Sequence, residues 1–161
     1  MKEEIYNQSR EAVRLLKEKN MTVSTAESCT GGLAAAYITA VSGSSAVFEL
    51  GMTSYSCRVK RDILGVEGET LENKGAVSRE TARQMAERIR EKASSDIGLS
   101  VTGVAGPDGS EGHAPGLVYI AGAYDGGVCV KELNINPLSR DYVRETAVSE
   151  LFKLLINIIG R

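Results

Sequence analysis

Near the N-terminus, Ile5, Ser9, Ala12, Val13 and Leu16 recur at three- and four-residue intervals. That spacing puts them on one face of an amphipathic helix over roughly residues 2–19. The period then changes. "MTVSTA" is short and β-branched and predicts a strand. A polar knot follows, "TAESCTGG" (25–32), and small and apolar residues over about Gly32–Val41 predict a second helix. "GSSAVFELGMTSYS" reads as a turn and then a strand, and "VKRDILGV" as a short helix ending at Gly65. "EGETLENKGAVS" has no apolar period and reads as a polar connection. Ser78 is placed to cap a helix running to about Ala93, with Glu80 near its positive end. "DIGLSV" predicts a strand that ends in a second glycine loop, "TGVAGPDGSEGHAPG". "LVYIAGAY" and "VCVKELNI" flank Asp125-Gly126-Gly127, a hairpin signal. Val143, Ala147, Leu151, Leu154, Leu155 and Ile158 mark the face of a last helix from about Arg140.

Helices and strands alternate through most of the chain, and no linker or repeat divides it. The expectation is a single α/β domain over residues 1–161, layered as an α/β/α sandwich whose mixed sheet includes one antiparallel hairpin. The net charge of −2 and the lack of a basic run argue against nucleic-acid binding. The apolar runs are too short and interrupted to span a bilayer, and the charged start lacks the apolar core of a signal peptide. Three cysteines, Cys29, Cys57 and Cys129, without a CxxC pair, suggest reduced thiols in a cytoplasmic protein. With His113 as the one histidine, neither a histidine-rich metal site nor a Ser-His-Asp triad has much to build on.

Two glycine loops, Ser28–Gly32 and Thr102–Gly109, are expected at the carboxyl ends of strands, where ligands bind in open α/β sheets. The first also opens a helix. Its free N–H groups favour an anion, and Gly31 and Gly32 allow close backbone approach to a phosphate. Capping by Ser28 or Thr30 explains the same residues equally well. Glu27 suits either proton transfer or acceptance of backbone hydrogen bonds. Cys29 suits a helix-terminal nucleophile or, more commonly, a small buried thiol. Ser44, Ser45, Tyr55 and Lys60 form a second constellation. Without histidine, a nucleophilic serine needs another base. A desolvated lysine can serve, with a tyrosine to relay or orient the proton. Solvated lysine and turn serines are the plainer reading. His113 reads as an exposed loop residue, and Arg140 and Arg144 can each pair with a phosphate.

Five ordered blocks carry a resemblance over nearly the whole chain: "TAESCTGG", "GSSAVFE" (43–49), Tyr55-Ser56 to Lys60 with "LGV", "GAVSRETARQMA" (75–86) and "TGVAGPDG" (102–109). Together they resemble the C-terminal domain of the competence/damage-inducible protein CinA, also found as a stand-alone nicotinamide mononucleotide amidohydrolase. Longer members carry a further N-terminal domain resembling molybdopterin-binding folds. The resemblance implies an α/β/α sandwich, a homodimer, and a metal-independent and cofactor-independent serine amidohydrolase. The reaction would convert nicotinamide mononucleotide to nicotinate mononucleotide and ammonia. Carried over, Ser45 is the nucleophile, Lys60 the base and Tyr55 its partner, with Ser28 the alternative nucleophile. Ser28, Thr30, Gly31, Thr102 and Gly103 would line the substrate pocket, and Arg140 would meet the phosphate. The chain departs from the family at Cys57, commonly asparagine, and at "HAPG" (113–116), commonly "KPVG"-like. These departures leave open a non-catalytic nucleotide-binding protein and an amidase for another carboxamide.

Overall fold

The computed structural model describes all 161 residues. Helix α1 spans Lys2–Glu18 and leads into strand β1, Val23–Glu27. Helix α2 is Leu33–Thr39, and a 3-10 turn at Ser44–Ala46 precedes β2, Phe48–Thr53. Ser56 caps α3, Cys57–Val59, which continues as a π-helical turn over Lys60–Leu64 and stops at Gly65. Helices α4, Gly68–Lys74, and α5, Arg79–Ala93, come next. Strands β3, Ile97–Gly103, β4, Leu117–Tyr124, and β5, Gly127–Asn134, precede α6, Arg140–Ile159.

The five strands form one mixed sheet in the order β2-β1-β3-β4-β5. β1 runs parallel to β2 and β3, while β3–β4 and β4–β5 are antiparallel. Tyr124 pairs with Gly127, so the β4–β5 hairpin turns on Asp125-Gly126 as expected. One sheet face packs on α1, α2 and α6 around Ile5, Leu16, Ile38, Leu99, Ile120 and Phe152. The other face meets α5 and the π-helical turn through Ala26, Leu64, Met85 and Ile89, and then through alanines 82, 86, 121 and 123. The expected α/β/α sandwich is therefore present.

Burial explains the strand sequences. All five residues of β1 are buried, because it lies in the middle of the sheet and is covered on both faces. β2 alternates between half-buried and exposed, as an edge strand should. The expected Ser78 cap forms, its Oγ accepting from Thr81 N–H at 3.1 Å, and Ser139 Oγ caps α6 in the same way, accepting from Tyr142 N–H at 3.0 Å. One expectation fails. The segment read as a polar connection contains α4, whose only buried residue is Thr70. A short helix with so narrow a buried face writes no apolar period into its sequence.

Gly98 sets the spacing between β3 and α5. A Cβ there would lie 2.2 Å from the Ala86 carbonyl oxygen and 2.6 Å from Arg90 Cβ. Gly98→Ala should therefore destabilise the fold by about 1–3 kcal/mol, read as a lower urea midpoint, because backbone cannot yield to an added methyl.

Candidate active site

The site lies where β1 and β2 end. Because the two strands are parallel, their carboxyl ends fall on one edge of the sheet. Ser28 follows β1 directly, and its N–H donates to the Val101 carbonyl at 2.9 Å. Ser54 N–H donates to the Glu27 carbonyl at 2.8 Å, which draws the turn after β2 to the same place. The π-helical turn then carries Lys60 inward. Its Nζ donates to Ser28 Oγ at 3.0 Å, to the Ser54 carbonyl at 2.8 Å and to the Tyr55 carbonyl at 3.1 Å. None of these partners is a carboxylate. Lys60 is 1% exposed and Ser28 is 9% exposed. Burial pulls the Lys60 pKa below the ordinary value of 10.5, against a smaller attraction to the Glu111 carboxylate.

Glu27 builds the turn that presents Ser28. Its buried carboxylate accepts from Thr30 Oγ1 at 2.6 Å and from the N–H groups of Gly32, Ala34 and Ala35 at 3.2, 3.0 and 2.9 Å. These are the orphan donors at the start of α2. The cap expected from Ser28 or Thr30 is thus supplied by Glu27, with Thr30 donating to it. Gly31 and Gly32 have φ of +62° and +96°, so the turn needs glycine at both positions. The N–H groups of Cys29 and Thr30 donate to no other residue. Burial pushes the Cys29 thiol up to about 11, which identifies it as a packed thiol and not a thiolate nucleophile.

The structure does not bring Ser45 to Lys60. Ser45 is exposed in the 3-10 turn before β2. Lys60 follows β2, and the six residues of that strand separate the two by roughly 20 Å. Tyr55 does not orient the amine through its hydroxyl either. Its side chain is 59% exposed, and its hydroxyl accepts from Arg140 Nη2 at 3.1 Å. Only its backbone carbonyl meets Lys60.

The expected pocket residues divide in two. Thr30 and Thr102 are buried, and their hydroxyls are engaged within the protein, Thr102 Oγ1 donating to the Ala76 carbonyl at 2.7 Å. They shape the site without offering those hydrogens to a ligand. Gly103 is where β3 meets β4 closely; a Cβ would lie 2.7 Å from Val118 Cα. Gly31 and Arg140 remain at the rim. Arg140 donates to the Gly106 carbonyl and to Tyr55, leaving other guanidinium N–H groups unpaired. Arg144 Nη2 donates to the Thr30 carbonyl at 3.0 Å, so Arg144 flanks the Ser28 turn while Arg140 bridges the second glycine loop and Tyr55. Cys57 faces a separate cleft with Arg58, Arg61 and Leu71, so this departure leaves the Ser28–Lys60 contact intact. No cluster of metal-ligating side chains is present.

This arrangement defines an α/β/α sandwich with a buried serine–lysine pair at the carboxyl ends of parallel strands. Residues 6–159 match the model of the CinA C-terminal domain, and the chain belongs to that family. It is 47% identical to a competence-damage inducible protein of Acetivibrio thermocellus over 96% of this chain and 39% of the relative. A Thermoanaerobacter pseudethanolicus relative of the same description is 52% identical over 77% of this chain and 30% of its own length. The chain thus spans less than half the length of these relatives. Among solved structures, competence/damage inducible protein CihA from Agrobacterium tumefaciens superposes with a TM-score of 0.93. It is 38% identical, with 98% of this chain and 96% of that one covered. A competence damage-inducible protein A from Klebsiella pneumoniae superposes with a TM-score of 0.94 at 31% identity, with 98% of both chains covered. No helix is long and apolar enough to cross a membrane.

The buried amine has a consequence for stability. The unfolded chain holds the Lys60 proton up to higher pH than the folded chain does. Between the depressed folded pKa and the ordinary 10.5, the unfolded state binds more protons, so this group's contribution to stability rises with pH. The urea midpoint of the wild type should therefore climb relative to Lys60→Met as pH is raised toward that value. A constant difference between the two would show that Lys60 is not depressed.

Proposed function

We propose that this protein hydrolyses a carboxamide, with Ser28 as nucleophile and Lys60 as general base, and that the substrate is nicotinamide mononucleotide. The observation that carries the reading is the 3.0 Å contact between a serine hydroxyl and a buried lysine amine lacking a carboxylate partner. Such an amine loses its proton more readily than a solvated one and then accepts the proton of the hydroxyl. Ser28 Oγ attacks the amide carbon as Lys60 Nζ takes that proton. The unpartnered N–H groups of Cys29 and Thr30 follow the nucleophile in the chain and suit the developing oxyanion. Lys60 passes the proton to the departing nitrogen, and ammonia leaves an acyl-Ser28 ester. Water, deprotonated in turn by Lys60, attacks the ester to release the carboxylate and restore Ser28. The donor set needs no metal for these steps.

The nucleotide part of the reading rests on Arg144 beside the Ser28 turn and Arg140 between Gly106 and Tyr55, both in the first turns of α6. A phosphate there would compete for the Arg140 hydrogens now shared with Tyr55 and Gly106. The exposed Tyr55 ring stands at the same rim. The substrate, the cytoplasmic setting and a homodimeric assembly belong to this proposal together.

Ammonia release from nicotinamide mononucleotide by the wild type, Ser28→Ala and Ser45→Ala is the test. Ser28→Ala should lose at least about 1000-fold in kcat, while Ser45→Ala stays within about twofold. Loss in Ser45→Ala alone would overturn the assignment of the nucleophile. A thermal shift with the nucleotide but no ammonia would instead indicate a binding protein. Activity on nicotinamide or its riboside equal to that on the mononucleotide would remove the phosphate from the proposal.

The same base sets the pH dependence. Activity requires neutral Lys60, so kcat/KM should rise with pH through its folded pKa and level off above it. The midpoint should lie below the ordinary lysine value of 10.5. A profile that falls with rising pH over that interval would exclude Lys60 as the base.

A further inference from the structure

The second glycine loop leaves β3 and returns to β4 as a projecting hairpin. At its base, Val104 N–H donates to the Leu117 carbonyl and Gly116 N–H to the Val104 carbonyl, both at 2.8 Å. At its tip, Ser110 and His113 exchange backbone hydrogen bonds at 3.1 and 2.8 Å, closing a two-residue turn. Glu111 and Gly112 occupy that turn with φ of +51° and +78°. The left-handed backbone is unusual for a glutamate and aims the loop tip back toward the protein. There the Glu111 carboxylate accepts from the N–H groups of Ala76 and Val77 at 3.3 and 3.2 Å. Ala76 is also the residue whose carbonyl binds Thr102 at the root of the loop. The Gly75–Val77 turn is therefore held by both the root and the tip of one loop.

The reactive pair is nearly closed to solvent, so a nucleotide reaches Ser28 only after some covering segment moves. The Glu111 bonds are the natural point of release. They are made by an exposed side chain, and exposed charge-assisted contacts open at little cost. They also involve no residue of the serine–lysine pair. The loop also reaches the lysine side of the site through Gly106, whose carbonyl accepts from Arg140, which in turn donates to the Tyr55 hydroxyl.

We infer that Glu111 is a positioning residue whose carboxylate latches the second glycine loop onto the Gly75–Val77 turn and thereby sets access to Ser28. Its effect on turnover rests on the proposed hydrolase reading, whereas the latch itself does not. Cys29, next to Ser28 and in the same buried cluster as Ala105 of the loop, reports access without any chemistry at Ser28. In a chain carrying Cys57→Ala and Cys129→Ala, methyl methanethiosulfonate should label Cys29 about tenfold faster once Glu111→Ala is added. Glu111→Gln, which keeps an acceptor oxygen, should fall between. The stability read from urea unfolding should fall by no more than the roughly 1.4 kcal/mol to which a tenfold change in opening corresponds. In the otherwise unchanged chain, Glu111→Ala should also speed hydrogen exchange at the Ala76 and Val77 amides. Equal labelling rates, unchanged exchange, or labelling that accelerates with urea as steeply as global unfolding does would each overturn the latch. With nicotinamide mononucleotide, Glu111→Ala should change KM by more than it changes kcat. If the wild type releases no ammonia, the hydrolase reading falls, and labelling and exchange still decide the latch.

Discussion

The Ser28 turn depends on a buried carboxylate. Glu27 ends a strand covered on both faces, where an uncompensated charge would be very costly. Thr30 and three N–H groups of α2 compensate it, and the same four bonds fix the path of the chain through Ser28. The turn is thus rigid because its charge has no other way to be satisfied. The polar knot is both a helix cap and a scaffold for a hydroxyl, with the two roles assigned to adjacent residues.

Lys60 presents the opposite electrostatic case. Its amine is buried as deeply as Glu27, but its partners are a hydroxyl and two carbonyls. They satisfy its hydrogens without supplying a full negative charge, so desolvation dominates and the neutral amine is favoured. A π-helical turn is what brings the side chain inward at this position, a local distortion often found at functional sites. The stability lost by burying a lysine in this way is the physical basis for reading the pair as chemistry and not as packing.

Much of the architecture was legible from apolar spacing. The α1 and α6 faces, the Ser78 cap and the Asp125-Gly126 hairpin all formed as their residues indicate, because each is set by contacts close in sequence or by a periodic buried face. Helix α4 was not legible, since it buries too little to leave a period. The site was legible in its members but not in their pairing. Ser28 and Lys60 both carry recognisable chemistry in the sequence, but the family resemblance points to Ser45 as the partner of Lys60 and to Ser28 only as the alternative. The strand pattern held the corrective signal. Ser45 precedes β2 while Lys60 follows it, and parallel neighbours place Ser28 and Lys60 at one edge. In the sequence Arg144 reads only as a phosphate candidate, and Glu111 carries no signal, because its contacts run to backbone 34 and 35 residues away.

The sequence by itself determined the α/β class, the order of nearly all elements, and the motif blocks that carry the CinA resemblance. These follow from local propensity and periodic burial, which each segment records in its own residues. Only the tertiary structure decided which hydroxyl meets the lysine, which acceptors hold Thr30 and Thr102, and where Tyr55 points. Those outcomes depend on strand direction, register and desolvation. Such properties arise when distant segments share one buried volume, and no single segment encodes them.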